Sequence, residues 1–189
     1  MRKLGLLFSL IMILAGEISA QNQANWWYFG NKAGLNFNTM STATYPIPLG
    51  VANGAMNTTE GCASISDARG DLLFYTDGIR VWDARHLVMP NGTGLMGNSS
   101  STQSGIIVPD PANKKKFYVF TGDHGGAPNH KGLRYSVVDM TLNSGNGDVI
   151  TASKNTLVFA PCAERITATK IKGANGFWVV AQELGVNKY

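Results

Sequence analysis

One local pattern occurs three times in this chain and constrains its fold more than any other feature of the sequence. Each copy has a short β-prone run, then a turn rich in Gly, Pro, Asn, Asp and Lys, and then a strand that starts with phenylalanine. Short runs of β-branched and aromatic residues bounded by turn residues are typical of β-strands. The pattern therefore predicts antiparallel strands at Ala63–Ser66, Ile106–Val108 and Ile166–Thr169, each followed by an aromatic strand that starts at Phe74, Phe117 or Phe177.

The spacing of the copies predicts how they assemble. The starting phenylalanines are 43 and then 60 residues apart, and propeller blades repeat every 40–50 residues or so. A third strand is expected in the first two copies, at Ile79–Trp82 and Leu133–Val138. One such meander cannot bury both of its faces, whereas copies stacked side by side bury them against each other.

The predicted fold class is therefore all-β, a partial β-propeller of repeated antiparallel meander blades over residues 21–189. No apolar stripe of helical period interrupts these residues. They hold about three to four blades, whereas a closed propeller needs about four or more. We therefore expect an incomplete propeller, truncated at its C-terminal end.

The N-terminus resembles a secretory signal peptide. Arg2 and Lys3 precede an apolar run at Leu4–Leu14, and Ile18-Ser19-Ala20 offers a cleavage site with small residues. The run is too short to favour a membrane span, so residues 1–20 are predicted to be removed and the mature chain to be exported, without a membrane span.

Two cysteines, Cys62 and Cys162, are the only ones in the chain. Export would permit a disulfide between them. They open similar segments of neighbouring copies, however, and equivalent positions of neighbouring blades lie too far apart to bridge. The sequence favours two buried free thiols and leaves their oxidation open. No metal site and no cofactor are expected.

The charge of the chain gives no indication of a nucleic-acid partner. The net charge is +4, and the one lysine run, at residues 114–116, falls between two predicted strands. No basic face with interleaved aromatic residues accompanies it, so a solvated hairpin loop is the better interpretation.

Four residues are candidates for ligand contact. Trp26 and Trp27 belong to a predicted aromatic hairpin that could present a carbohydrate platform, although aromatic residues in β-rich chains more often pack between sheets. His124 and His130 share a Gly-rich loop, and loops of this kind carry binding residues in many proteins. Their spacing matches no metal motif.

No catalytic constellation is found. The aspartates at positions 67, 71, 77 and 83 lack the spacing of a calcium loop and are expected in turns and at strand ends. Arg69-Gly70-Asp71 is predicted to be a hairpin turn. Glu60 and Glu164 precede similar strands, and an acid–base pair of these two across a channel would be the chemistry of the alternative function, a propeller-type glycosidase or lyase.

One long stretch also resembles a known family. Residues 61–83, GCASISDARGDLLFYTDGIRVWD, together with segments 89–92, 97–104, 132–136 and 138–140, resemble the N-terminal propeller-like region of large exported surface proteins of Bacteroidota. Many such proteins continue into PKD-type modules and a gliding-motility-associated, type IX secretion sorting domain, and neither is present in these 189 residues. The resemblance implies placement at the cell surface or outside the cell, and downstream modules in a longer chain.

The function expected from these features is a non-catalytic extracellular module for adhesion, gliding or the binding of polymers or glycans. Its expected partner is an extracellular polysaccharide or a surface protein. The sequence does not identify the ligand.

Overall fold

A computed structural model describes residues 22–40, 47–126 and 129–189. Residues 1–20, where the signal peptide is predicted, lie outside the described residues. Thirteen β-strands and three short 3₁₀ helices are found in the described part of the chain. The strands are β1 Trp26–Phe29, β2 Ala33–Met40, β3 Pro48–Val51, β4 Ala63–Ser66, β5 Leu72–Thr76, β6 Val81–Asp83, β7 Gly105–Pro109, β8 Lys116–Gly122, β9 Leu133–Asp139, β10 Asp148–Val149, β11 Thr156–Phe159, β12 Cys162–Lys170 and β13 Phe177–Glu183. The 3₁₀ helices are Asn22–Ala24, Asn143–Gly145 and Thr151–Ser153.

The strands form four antiparallel sheets in chain order. The first sheet has the order β1-β2-β3 and the second β4-β5-β6. The third has the order β10-β9-β8-β7, with β11 also paired to β9, and the fourth consists of β12 and β13. The all-β class and the antiparallel meanders are thereby confirmed. The described residues contain no closed barrel or closed propeller.

Successive sheets lie next to each other through their first strands, since β1 contacts β4, β4 contacts β7, and β7 contacts β12. Three apolar clusters fill the spaces between the sheets. Tyr28, Tyr75 and Trp82 pack between the first and second sheets, and Phe74 meets Phe117 between the second and third. The third and fourth sheets share a cluster of Leu133, Cys162, Ile166 and Ala181.

The cysteines agree in part with the sequence-based expectation of two buried free thiols, and the turn between β4 and β5 agrees with the predicted hairpin turn. Both cysteines are free thiols, with Cys162 buried and Cys62 half-buried. Burial raises the pKa of the Cys162 thiol to about 11, so this thiol stays protonated and packs as a small apolar group. The turn between β4 and β5 is closed by Asp67, whose carboxylate accepts hydrogen bonds from the backbone N–H groups of Arg69 and Asp71.

A buried serine joins the second sheet to the third. The Ser104 hydroxyl donates to the Asp77 carbonyl at 2.6 Å and accepts from the Asn98 N–H at 3.1 Å. This contact is possible only because Gly78 has no side chain, since a β carbon there would overlap the hydroxyl and carbonyl oxygens of Ser104. Gly78 also has a φ of +81°, in the region that favours glycine.

We predict that Gly78→Ala destabilises the protein much more than Gly173→Ala. Gly173 has nearly the same φ, +76°, but an added β carbon there meets nothing within 4 Å. The Gly173 substitution should cost about 1 kcal/mol through backbone strain alone. The Gly78 substitution should cost at least about 2 kcal/mol more, because the sheet junction must open to admit the methyl group. Urea denaturation measures both values, and equal losses would show that the junction tolerates the methyl group.

Candidate functional site

The two tryptophans of the predicted platform point to opposite faces of the first sheet. Trp26 stacks parallel to Tyr28 with ring centroids 5.9 Å apart and packs against the cluster between the first two sheets. Trp27 is 50% exposed, and its ring lies against Phe37. Trp26 is therefore part of the packing between sheets, and of the two only Trp27 offers its ring to a partner.

Trp27 and Phe29 line a groove of about 450 Å³ beside the first strands of the second and third sheets. Ser64 of β4 and Ile106 of β7 form the opposite wall. The Ser64 hydroxyl already accepts a hydrogen bond from the Tyr28 N–H at 2.9 Å. The groove is therefore mainly apolar, and it offers few groups for hydrogen bonding to a sugar.

The two candidate histidines have different surroundings. The His124 side chain is partly exposed, and its Nδ1 lies 2.8 Å from Oε1 of Glu164. Because an ionised carboxylate only accepts hydrogen bonds, Nδ1 of His124 is the donor. His130 instead uses Nδ1 to accept the N–H of Gly132 at 3.0 Å, which closes its own loop. The structure does not bring the two imidazoles into contact within the described residues.

Glu164 is the centre of a network that joins three segments of the chain. One carboxylate oxygen accepts from the N–H and the hydroxyl of Thr102, at 2.9 and 3.0 Å. The other accepts from the Gly125 N–H at 2.9 Å as well as from His124. The side chain of Glu164, on β12, therefore holds together the loop before β7 and the loop after β8.

These donors lower the pKa of Glu164 to about 2, with the Thr102 N–H as the largest cause, followed by His124 and the Gly125 N–H. Each donor stabilises the charged form of the carboxyl group. Glu164 is therefore ionised over the whole physiological pH range. A general acid needs a pKa near the working pH, so Glu164 is suited to fixing loops and unsuited to donating a proton.

Asp123 fixes the base of the His124 loop. Its buried carboxylate accepts the backbone N–H groups of His124 and Lys131, both at 2.8 Å, and the Asn98 side-chain amide at 3.1 Å. Burial alone would raise the pKa of Asp123, but the donors from Lys131, Asn98 and His124 outweigh it and lower the pKa overall. The Asp123 carboxylate therefore fixes both ends of the loop, at His124 and Lys131, and also the segment around Asn98.

A cleft of about 670 Å³ lies against this network, and we call it the Glu164 cleft. Its walls come from the two fixed loops, from β12 and from the turn after β13. The polar residues that line it are Thr102, Glu164, Arg165, Gln182 and Asn187. Arg165 is exposed, and no ion pair to it is found in the described part of the chain. The cleft thus combines the Arg165 cation and the hydrogen-bonded Glu164 carboxylate with the neutral polar side chains of Thr102, Gln182 and Asn187.

The described ranges contain no group of three or more His, Cys, Asp or Glu side chains placed to hold a metal ion. The aspartates of the second sheet serve turns instead. The Asp83 carboxylate accepts from the N–H groups of Arg85 and Leu87 and from the Arg85 guanidinium, and Asp77 accepts from the N–H groups of Ile79 and Arg80. Glu60 is exposed.

Sequence reasoning found part of this site. It named His124 for ligand contact and Glu164 for an acid–base role, but it did not join them. Their separation of 40 residues follows no motif, and the contact depends on how the third and fourth sheets pack. Arg165, Gln182 and Asn187 carried no signal in the sequence, because they come from the fourth sheet and the turn after it.

Comparison with known proteins finds no matching family model, no matching curated protein and no matching solved structure.

We predict that Glu164→Gln destabilises the protein at neutral pH by about 2 kcal/mol, because a neutral amide cannot accept all of these hydrogen bonds. The folded pKa of about 2 lies below the ordinary value of 4.5. The stabilisation from ionisation is therefore complete above pH 4.5 and is lost as the pH falls toward 2. The difference in free energy of unfolding between wild type and variant should narrow over that range.

Glu183→Gln is the matched control. Its carboxylate forms only an exposed ion pair with Lys188, at 3.8 Å, and such pairs contribute below about 1 kcal/mol. Denaturation at a series of pH values measures both variants. Equal stability of the two at neutral pH would contradict the structural role of Glu164.

Proposed function

We propose that this chain is a non-catalytic β-propeller module of an exported bacterial protein, and that it binds extracellular polysaccharide in adhesion, gliding or attachment to polymers. The proposal has three parts, namely the propeller arrangement, the location outside the cell, and the ligand. Each is supported by a different observation.

The propeller arrangement is supported by the order of the sheets. Three meanders and one two-stranded hairpin follow each other in chain order, each sheet packs on the next, and the first strands of neighbouring sheets are adjacent. In propellers the first strand of each blade lies next to the central axis. A radial arrangement of the four sheets would place β1, β4, β7 and β12 at that axis.

Export is supported by the signal-peptide pattern of residues 1–20 and by the resemblance to exported Bacteroidota proteins. Within the described residues, no helix has the length and apolar character needed to cross a membrane. The downstream modules implied by the resemblance belong to this proposal as well.

The Glu164 cleft is the observation that supports a saccharide as the ligand. Saccharides present many hydroxyl groups, and a binding site needs donors and acceptors that are fixed before the ligand arrives. The cleft supplies Arg165 next to Glu164 on β12, and Gln182 and Asn187 on the facing wall, where the Gln182 amide donates a hydrogen bond to the Val186 carbonyl at 3.1 Å. Its size suits a short oligosaccharide segment, and Arg165 would favour one that carries a carboxylate.

No observation favours the alternative, a glycosidase or lyase that uses Glu60 and Glu164. The carboxylate of Glu164 is ionised and occupied by Thr102, His124 and Gly125. Its oxygens hold the loops of the cleft, so they are not available for proton transfer.

Binding to a panel of neutral and uronate-containing polysaccharides tests the proposal. We expect the wild-type chain to bind a uronate-containing polysaccharide, and Arg165→Ala to weaken that binding at least about tenfold, because a charge-assisted hydrogen bond is lost. Lys172→Ala is the matched control, since Lys172 is an exposed cation in the turn before β13, outside the cleft. Isothermal titration calorimetry measures the affinities.

Two results would contradict the proposal. One is that no polysaccharide of the panel binds. The other is that Arg165→Ala and Lys172→Ala have the same affinity as wild type, in which case the cleft is not the binding site.

A further inference from the structure

The chain contains four Asn-Gly pairs, at residues 53–54, 91–92, 146–147 and 175–176. In such a pair the backbone nitrogen of the glycine can attack the side-chain carbonyl carbon of the asparagine, because glycine has no β carbon to obstruct the approach. The nitrogen must first lose its proton, so an N–H that is buried and hydrogen bonded is protected, as it is in hydrogen exchange. The glycine N–H groups therefore decide which pair reacts in the folded chain.

Three of the four glycines are protected in this way. Each of the three is buried. Each donates its N–H to a backbone carbonyl, in the pairs Gly54–Lys32 at 3.2 Å, Gly92–Met89 at 2.8 Å and Gly147–Leu142 at 3.1 Å. Attack by any of these nitrogens requires the fold to open locally first.

Gly176, in the turn between β12 and β13, has different surroundings. It is only partly buried. Its carbonyl accepts the Ile171 N–H at 3.0 Å, but no acceptor for its own N–H is found in the described part of the chain. A β carbon added at Gly176 would meet only the end of the Ile171 side chain, so the backbone is not enclosed here. Gly176 is thus the one glycine of the four whose nitrogen can react without local opening.

The asparagine side chains do not make this distinction, because the amide nitrogen of each lies within hydrogen-bond distance of a partner. The Asn175 amide nitrogen donates to the carbonyl of Pro111, in the turn between β7 and β8, at 2.6 Å. This bond joins the turn of the fourth sheet to a turn of the third. It is made toward the third sheet, so it does not depend on the outer face of the fourth.

We propose that Asn175 is a site of spontaneous deamidation in the folded protein, and that the reaction releases the turn of the fourth sheet from the third sheet. The Gly176 nitrogen gives its proton to hydroxide and forms a bond to Cγ of Asn175, and the amide nitrogen takes a proton from water and leaves as ammonia. Water then cleaves one of the two C–N bonds of the cyclic imide, which gives aspartate or isoaspartate.

The carboxylate of the product only accepts hydrogen bonds, so the bond to the Pro111 carbonyl is lost. Two acceptors then face each other where a donor and an acceptor were paired. The reaction also adds a negative charge to the turn. The inference does not rest on the proposed ligand, because Glu164 lies near the other end of β12.

Peptide mapping by mass spectrometry, during incubation of the folded chain at mildly alkaline pH, tests the selectivity. We expect Asn175 to react at least about tenfold faster than the asparagines of the other three pairs, because their glycine N–H groups react only after local opening. In concentrated urea the four pairs should react at similar rates, since the protection is then absent. Gly176→Ala should slow the reaction at Asn175 severalfold, because the β carbon obstructs the attack.

Asn175→Asp reproduces the product and tests the structural consequence. We expect amide hydrogen exchange at Ile171, in the same turn, to become severalfold faster than in wild type, because the turn has lost its bond to Pro111. Asn113→Asp is the matched control. It adds the same charge to the turn that contains Pro111, but the Asn113 side-chain oxygen accepts from the Lys115 N–H at 2.9 Å, and a carboxylate can do the same. This variant should exchange at Ile171 like wild type.

Three results would overturn the proposal. One is a folded chain in which Asn175 is not the fastest of the four to react. Another is the same preference for Asn175 in urea, which would show that the fold does not cause it. The third is exchange at Ile171 that is equal in wild type, Asn175→Asp and Asn113→Asp, because the bond to Pro111 would then not hold the turn.

Discussion

The buried hydrogen bonds of Ser104 are the interaction on which the arrangement of the sheets depends. The hydroxyl donates to the carbonyl of Asp77, directly after β5 of the second sheet, and accepts from the Asn98 N–H. The Ser104 carbonyl accepts from the N–H of Gly122 at the end of β8. An unpaired polar group in this buried position would cost about 1–3 kcal/mol. All these bonds form together only at the short approach that Gly78 allows, so the second and third sheets have one relative position.

The shape of the Glu164 cleft depends on this relative position of the second and third sheets. Ser104 ends the loop that carries Thr102, and the Thr102 N–H reaches Glu164 of the fourth sheet at 2.9 Å. Gly125 approaches the same carboxylate from the other side. A charge shared by three segments fixes them better than separate neutral bonds do, because hydrogen bonds to an ionised group are roughly twice as strong. A carboxyl group with a strongly lowered pKa thus shapes the cleft.

Strands whose own residues favour β structure could be predicted from the sequence. Strands that form only because a neighbouring strand offers hydrogen-bonding partners could not. β5 and β8 are rich in Leu, Phe, Tyr and Val and were located from the sequence, because such runs fit a pleated, half-buried surface. β3 starts with Pro48 and contains Gly50, two residues that are depleted in strands, and β11 joins the edge of β9 through a bulge. Strands of this kind form because a neighbour offers an open edge. The same holds for the site. The His124 loop could be recognised from its own residues, whereas the contact of His124 with Glu164, 40 residues further along the chain, could not.

Trp26 and Trp27 show that adjacent residues of the same type can have different roles in a strand. Trp26 and Trp27 read together as one aromatic platform, but a strand sends neighbours to opposite faces. Trp26 therefore joins the packing against the second sheet, while Trp27 faces outward. Trp178 and Val179 of β13 repeat this pattern at the other end of the stack. In the second sheet, by contrast, Phe74 and Tyr75 of β5 point to opposite faces and both are buried, because a neighbouring sheet covers each face. The burial of two adjacent apolar residues is thus decided by which faces of the sheet are covered, and not by the residues of the strand alone.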